Sequence, residues 1–252
     1  MDSVTSGGAS HRTVEHPNVF FFDPLYIVLI VAILVVSGGA QLYIRSTYGR
    51  WDRVPNNAVL NGVQVAETLR QRARFGNRSG QEAITSINVI QGQLSDRFDP
   101  RDRSLGLSQA VATRPSVASM AIAAHEVGHA AQLAEGSAWM QIRSLLVPAA
   151  MVGPQVAYLF IFGGLIFNLA GLFTIGILLF GIAVLFSLAT LPVEIQASRK
   201  ALAMLQDTGI ITTTQERDGA RSMLTAAALT YVAAAVAAVL TLLYYLTLAR
   251  RS

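Results

Sequence analysis

Two histidines one helical turn apart are the residues in this sequence best suited to chemistry. His125-Glu126-Val127-Gly128-His129 is an H-E-x-x-H pattern. On a helix, side chains four positions apart lie on one face, so both imidazoles can reach a single zinc ion. The Glu126 carboxylate lies between them and can take a proton from a water molecule at that ion. The pattern therefore predicts a zinc site, and the alternative is a pair of structural histidines in a helix.

A catalytic zinc usually takes three protein ligands. The chain contains no cysteine, and its other two histidines, His11 and His16, lie in a polar amino-terminal tail. We therefore expect a carboxylate as third ligand, and Glu194 is favoured because it is the first charged residue after 50 uncharged ones. An acid at that position could instead simply end a membrane crossing. The remaining candidates are Asp207, Asp218 and Glu135, the last of which is poorly aimed at the same ion.

The elements that must position these residues are mostly apolar helices. Only 13% of the 252 residues are charged and the mean hydropathy is +0.46, which excludes an ordinary soluble protein. Three stretches carry neither charge nor histidine: 24–44, 144–193 and 223–249. About 20 apolar residues make one crossing, so the first and third stretches predict one each. The middle stretch fits two, at about 145–167 and 171–192, with a reversal near Asn168 to Gly171.

The crossings divide the chain and fix which parts share a side of the membrane. Because two crossings separate 45–143 from 194–222, these two aqueous segments lie together and both termini lie opposite. Sixteen of the 19 Lys and Arg are on the shared side, so the positive-inside rule places that side, with the candidate zinc site, in the cytoplasm and both termini outside the cell membrane. The predicted division is a polar tail at 1–23, transmembrane helix 1 at 24–44, an aqueous part with the H-E-x-x-H helix at 45–143, a hairpin of transmembrane helices 2 and 3 at 144–193, an aqueous helical segment with the third zinc ligand at 194–222, and transmembrane helix 4 at 223–249.

Shorter elements are expected in the aqueous part. Asn61 is a suitable N-cap for a helix that ends at Gly76. Residues 84–90 and 94–107 indicate short strands, with a turn at 99–102. Pro115 suits the first turn of a helix that runs through Ala131. The basic residues are interleaved with acids and accompany no recognition motif, so we expect no nucleic-acid partner.

Four segments of the chain resemble one known family. They are His125 to Gln132 (HEVGHAAQ), Leu191 to Ala201 (LPVEIQASRKA), Leu94 to Pro100 (LSDRFDP) and Ala226 to Ala235 (AALTYVAAAV). In this order and spacing they closely resemble the YugP-type membrane zinc metallopeptidases of bacteria. The resemblance implies gluzincin-like ligation of one zinc ion by His125, His129 and Glu194, with Glu126 as catalytic base.

The uncharged stretches, the H-E-x-x-H pattern and the resemblance together predict a fold and an activity. The expected fold is a mainly α membrane protein with four transmembrane helices and a small α+β zincin-like aqueous portion that carries the H-E-x-x-H helix. The expected activity is that of a zinc metalloendopeptidase in the lipid bilayer, with a peptide or protein as substrate. The oligomeric state is left open by the sequence.

Further site residues follow from this family reading. A strand near Arg103 to Leu107 is where similar enzymes lay an extended substrate, with plain structural pairing as the alternative. Tyr231 is a candidate transition-state stabiliser, or else a buried tyrosine bonded to a neighbouring helix. Asp96 and Asp99 could orient a ligand histidine, although acids in such turns are more often caps.

Other classes of protein fit the sequence less well. A non-proteolytic zinc-binding membrane protein, such as a sensor or scaffold, would keep the ligands but would not need Glu126. A transporter would need charged or histidine side chains within the crossings, and none of the four predicted crossings contains one. An intramembrane protease of the site-2 type would place H-E-x-x-H inside a lipid-spanning helix, which the apolar stretches here do not.

Overall fold

The computed structural model describes residues 23–72 and 82–250. Within these ranges the chain forms seven helices and three strands. In chain order they are α1 (Pro24–Trp51), α2 (Gly62–Arg72), β1 (Ser86–Ile90), β2 (Arg97–Asp99), β3 (Ser104–Ser108), α3 (Gln109–Thr113), α4 (Val117–Ala134), α5 (Ala138–Ile166), α6 (Ala170–Asp207) and α7 (Thr214–Ala249). The predicted helix end at Gly76 and the tail histidines His11 and His16 lie outside the described residues.

The four apolar helices expected from the uncharged stretches are present. α1, α5, α6 and α7 are each long and apolar enough to cross a membrane. Large apolar side chains such as Val35, Leu145 and Leu178 are exposed on them, as contact with lipid requires. The chain is a mainly α protein with four candidate membrane-spanning helices and a small three-stranded sheet, which confirms the predicted fold class.

The two membrane helices of the central hairpin reverse where the sequence predicts. Asn168 adopts a φ of 53° between α5 and α6, a left-handed conformation that asparagine tolerates. The outer ends differ from the prediction, because α5 begins at Ala138 rather than near 145 and α6 continues to Asp207 rather than 192. α5 begins early because a tight turn through Gly136, at a φ of 69°, joins it directly to α4.

The segment 194–222 consists of the projecting ends of α6 and α7 and the loop between them. Thr213 begins α7 with a capping box, in which its side chain and that of Glu216 each bond the other's backbone. Glu216 also accepts a hydrogen bond from the backbone N–H of Asn57 at 2.7 Å. This contact ties the start of α7 to the loop that precedes α2.

The three-stranded sheet lies beside the H-E-x-x-H helix. β3 is the central strand of the sheet. β3 pairs in parallel with β1 and antiparallel with β2. The predicted turn after β2 is present, with the Asp99 carboxylate accepting from the backbone N–H of Arg101 at 2.9 Å. The expectation that a substrate strand pairs with Arg103 to Leu107 is wrong, because neighbouring strands already occupy both edges of β3. β2 is the edge strand that contacts α4.

α4 carries the H-E-x-x-H pattern and is almost entirely buried. Ser116 caps it by accepting from the backbone N–H of Ser119 at 3.1 Å. Pro115 therefore precedes the helix instead of occupying its first turn, because its carbonyl pairs with the backbone N–H of Asn56 at 3.0 Å. The helix runs to Ala134, one turn's length beyond the predicted Ala131. Its many alanines allow α2, α6 and α7 to pack closely around it.

Candidate metal centre

His125 and His129 lie on one face of α4, as their spacing requires. Their rings meet edge to face, with centroids 4.7 Å apart and an interplanar angle of 81°. Only 8% of His125 and 7% of His129 is exposed. Two buried imidazoles held this close at one turn's spacing are suited to sharing a metal ion.

Glu194 reaches the two histidines from α6. Its Oε2 atom lies 3.1 Å from Nε2 of His125 and 3.5 Å from Nε2 of His129. One ligand atom from each of the three residues lies within 4.8 Å of the others, and all three residues are buried. The structure thus brings together the two histidines and the carboxylate singled out from the sequence, although His125 and Glu194 are 69 positions apart in the chain.

The chemistry of this donor set fits zinc. Two imidazole nitrogens and one carboxylate oxygen are the protein ligands of a common type of catalytic zinc site, which keeps one position open. The other carboxylate oxygen, Oε1 of Glu194, is buried without a hydrogen-bond partner of ordinary geometry among the described residues. A buried carboxylate oxygen is costly to leave unsatisfied, so a cation at this position would stabilise the site.

The competing acids are placed elsewhere. Glu135 forms an ion pair with Lys200, with Nζ and Oε2 2.5 Å apart. Asp207 is exposed at the end of α6, and Asp218 is exposed beside Arg217. None of these three acids belongs to the buried group that the described residues form around the histidine pair.

The second ring nitrogen of each histidine, Nδ1, also has a partner. Nδ1 of His129 lies 3.0 Å from Oε1 of Gln132, whose Nε2 donates to the carbonyl of Val193 at 2.8 Å. Because the amide nitrogen is used in that second bond, the amide oxygen faces His129, and Nδ1 must donate to it. This fixes the tautomer that leaves the lone pair of Nε2 directed at Glu194. Nδ1 of His125 lies 3.3 Å from Oγ of Ser198.

Glu126 lies in the same buried region, with 7% of its surface exposed. Burial raises the pKa of its carboxyl to about 7, and the nearby Glu194 and Asp96 carboxylates act in the same direction. His125 and a hydrogen bond from the backbone of Phe98 oppose that rise. Phe98 belongs to β2, so the edge strand of the sheet directly adjoins the Glu126 carboxyl.

A cavity of about 240 Å³ opens on this group. His125 and Glu126 form one wall, and residues of α1 and α7, including Ile44 and Tyr231, form the others. The cavity is therefore bounded by two candidate membrane-spanning helices as well as by α4. Such a concave, mostly apolar site with a few convergent polar groups is typical of a substrate pocket.

The remaining predicted site residues occupy different positions. Tyr231 lines the cavity, and its phenol lies near the carboxyl groups of Glu194 and Glu126. Asp96 also lines the cavity, but its two carboxylate oxygens accept from the backbone N–H and the hydroxyl of Ser108, at 2.7 and 3.0 Å. Asp99 bonds its own turn, as described above. The structure thus brings Tyr231 to the site, whereas the hydrogen bonds of Asp96 go to β3 and that of Asp99 goes to its own turn.

Three residues near the site were not singled out from the sequence. Gln132 and Ser198 lie three positions after His129 and four after Glu194, which is the spacing of same-face neighbours on a helix. That spacing is the signal that could have identified them. Arg143 of α5 lies close enough to act electrostatically on Tyr231, and its Nε is buried without a partner among the described residues. No local pattern marks Arg143, because only the packing of α5 brings it there.

Comparison with known proteins agrees with this geometry. Residues 26–250 match the model of a family described as "Putative neutral zinc metallopeptidase". The chain is 34% identical over 221 residues to "Putative membrane protease YugP" of Bacillus subtilis (strain 168), and the match covers 88% of this chain and 95% of that protein. No solved structure matches the chain. With a family match across nearly its whole length and a relative aligned over most of both chains, the protein belongs to the neutral zinc metallopeptidase family that this model describes.

Proposed function

We propose that this protein is a membrane-embedded zinc metalloendopeptidase in which Glu126 is the general base. The observation that carries the proposal is the convergence of His125, His129 and Glu194 within 4.8 Å, beside the buried Glu126 and an open cavity. His125, His129 and Glu194 would hold one zinc ion per chain. When bound, the ion would supply Lewis-acid activation of water and of the scissile carbonyl.

Glu126 has the position that a general base requires. Its neighbour on the helix is His125, and both line the same cavity. In the proposed reaction the Glu126 carboxylate takes a proton from the attacking water and then delivers it to the nitrogen of the departing amine. Proton movement is thereby confined to one side chain within a buried wall of the cavity.

The peptide substrate is proposed to lie in extended form along β2. β2 is the edge strand next to α4, and its Phe98 backbone is directed at Glu126. An edge strand offers unpaired backbone groups to an added strand. The resulting main-chain hydrogen bonds align a peptide independently of its side chains. Tyr231, on the opposite wall, is proposed to donate its phenolic proton to the developing oxyanion.

The active site is proposed to face the cytoplasm, with both termini outside. The support is the excess of Lys and Arg in the two aqueous segments. The chain contains no cysteine, so one cysteine introduced at the exposed Val89 can be probed alone. A membrane-impermeant maleimide should label Val89→Cys in permeabilised cells only. Labelling of Val89→Cys in intact cells would show that the protein has the opposite orientation.

The decisive experiment compares the parent with Glu126→Gln. Each protein is purified in detergent, assayed for zinc by mass spectrometry and tested on fluorescent casein. Glu126→Gln should retain zinc and lose cleavage by about 10² to 10⁴-fold, the usual contribution of a general base. Glu135→Gln is the matched control, because it makes the same change at an ion pair outside the cavity.

The outcomes separate enzyme from binding protein. Cleavage by Glu126→Gln at the parental rate would overturn the role of that residue. Zinc bound by both proteins with no cleavage by either, across a panel of unfolded and membrane-anchored peptides, would favour the sensor or scaffold alternative.

A further inference from the structure

A second cavity, of about 260 Å³, lies between α6 and α7 on the far side of Leu224 from the catalytic cavity. Leu224 lines both cavities. The polar groups of the second cavity are the guanidiniums of Arg199 and Arg221 and the hydroxyls of Ser198 and Thr225. We call it the α6–α7 groove. Leu224 is the one residue that the lining of the groove shares with the lining of the catalytic cavity.

The two arginines of the groove have no anionic partner. Both side chains are exposed, and in the described ranges 23–72 and 82–250 neither forms an ion pair. Two guanidiniums that line one cavity repel each other unless an anion lies between them. Arginine pairs with hydroxyl neighbours are well suited to a phosphate, whose oxygens accept several charge-assisted hydrogen bonds at once.

The groove lies at the end of the membrane-spanning segments. Arg221 lies two positions before the uncharged stretch 223–249, and Arg199 lies six positions beyond the uncharged stretch 144–193. Ile195 and Ala228 line the groove on the membrane side of the arginines, and 40% of Ile195 is exposed. Charged groups therefore line one end and apolar groups the other, in the order of a phospholipid headgroup and its acyl chain.

We propose that the α6–α7 groove binds an anionic phospholipid. The phosphate lies between Arg199 and Arg221, with Thr225 as an added hydrogen-bond donor, and an acyl chain follows Ile195 and Ala228 into the bilayer. The proposal does not depend on peptidase activity. Because Ser198 lines the groove and lies 3.3 Å from Nδ1 of His125, the bound lipid sits one side chain away from the candidate metal centre.

The test measures lipid retention by native mass spectrometry. The detergent-purified protein is incubated with phosphatidylglycerol or phosphatidylcholine of identical acyl chains. The parent should retain phosphatidylglycerol at least about tenfold better, and R199Q/R221Q should lose that preference. R45Q/R217Q is the matched control, since it removes the same charge from exposed arginines that do not line the groove. Equal retention of the two lipids by the parent, or an unchanged preference in R199Q/R221Q, would overturn the proposal.

Free phosphate is distinguished from lipid in a second arm. Inorganic phosphate is added to the phosphatidylglycerol complex, with chloride at equal ionic strength as reference. The lipid should remain bound, because the acyl chain contributes apolar contacts that free phosphate lacks. Complete displacement by inorganic phosphate would show a simple anion site and overturn the lipid assignment. If R199Q/R221Q does not fold, R199Q and R221Q are measured singly. Each single variant should retain at least about threefold less phosphatidylglycerol than the parent. If both single variants retained as much phosphatidylglycerol as the parent, the assignment of the lipid site to the α6–α7 groove would be overturned.

Discussion

Gly128 of α4 lies directly against the backbone of Ala197 in α6. A Cβ atom at position 128 would be 2.5 Å from the Ala197 carbonyl oxygen and 3.2 Å from its carbonyl carbon. Real Cβ atoms do not approach backbone this closely, so only glycine permits the contact. The residue lies within the H-E-x-x-H pattern, one position before His129, and Ala197 lies one turn after Glu194. The absence of a side chain at 128 is therefore what brings both halves of the candidate metal centre within reach.

Gly128→Ala should consequently damage both stability and metal binding. The added methyl group meets backbone and not a movable side chain, so we expect a loss of about 1 to 3 kcal/mol in the free energy of unfolding. Zinc affinity should fall as well, because α4 and α6 must separate. Gly181→Ala is the control, since nothing lies within 4 Å of a Cβ at that helical position. Thermal unfolding and zinc titration in detergent measure both effects, and equal behaviour of the two variants would refute the close-contact explanation.

Removal of the Glu194 carboxylate tests the third ligand. Glu194→Ala should lower zinc affinity by more than about 100-fold, since even the loss of an outer partner of a ligand costs 10 to 100-fold. Glu135→Ala should bind zinc normally, because that carboxylate pairs with Lys200 instead. Competition with a fluorescent chelator gives the two affinities. Full zinc retention by Glu194→Ala would transfer the role to another acid, such as Asp207 or Asp218.

The outer partners of the histidines should matter to a smaller degree. Gln132→Ala and Ser198→Ala should each weaken zinc binding by about 10 to 100-fold, because the ring that each side chain orients becomes free to rotate. Ser198→Thr keeps a hydroxyl and should recover most of the affinity. Ser187→Ala provides the comparison on the same helix, as its hydroxyl donates to the carbonyl of Ala183 within α6. An effect of Ser187→Ala as large as that of Ser198→Ala would indicate general damage to α6.

Tyr231→Phe separates catalysis from structure. If the phenol stabilises the oxyanion, kcat should fall by about 10²-fold while KM and zinc affinity change little. Tyr245→Phe removes the hydroxyl of a buried tyrosine away from the site, which packs against Phe180 in the membrane-side aromatic cluster. That control should keep the parental kcat. A fall in thermal stability of Tyr231→Phe with no change in kcat would assign Tyr231 a purely structural role.

Asp96 should make stability depend on pH. Burial raises the pKa of its carboxyl above the ordinary 3.8, although two hydrogen bonds from Ser108 oppose the rise. A carboxyl whose pKa rises on folding holds its proton more tightly in the folded chain. Its favourable contribution is therefore complete below pH 3.8 and is lost as the pH rises through the raised value. Asp96→Asn cannot titrate, so the melting temperature of the parent should fall relative to this variant as the pH rises above 3.8.

Asp102 serves as a control, because its effect on stability should depend on pH in the opposite direction. Hydrogen bonds from Ser104 lower the pKa of this exposed carboxyl below 3.8. The contribution of Asp102 to the free energy of unfolding is present above pH 3.8 and is lost as the pH falls through the lowered pKa. The parent should thus lose stability relative to Asp102→Asn only on acidification. The same direction of change for both aspartates would contradict the assignment of burial as the dominant cause at Asp96.

The sequence predicted best those features that depend on local pattern. The apolar stretches predicted four long helices, and the reversal at Asn168 follows from their length. The spacing of His125 and His129 predicted their shared face. Features that depend on long-range packing were less accessible, such as the central position of β3 and the placement of Arg143. Pro115 was misassigned because proline is as compatible with an extended segment before a cap as with the first turn of a helix.

The hairpin of α5 and α6 separates the two halves of the candidate metal centre. His125 and His129 are synthesised before the hairpin, and Glu194 lies beyond the uncharged part of its second helix, α6. A nascent chain that ends before the last turns of α6 has no third ligand to offer. The centre can therefore be completed only after both helices of the hairpin have been synthesised, so a chain that stops short of Glu194 would offer a metal ion only the two histidines.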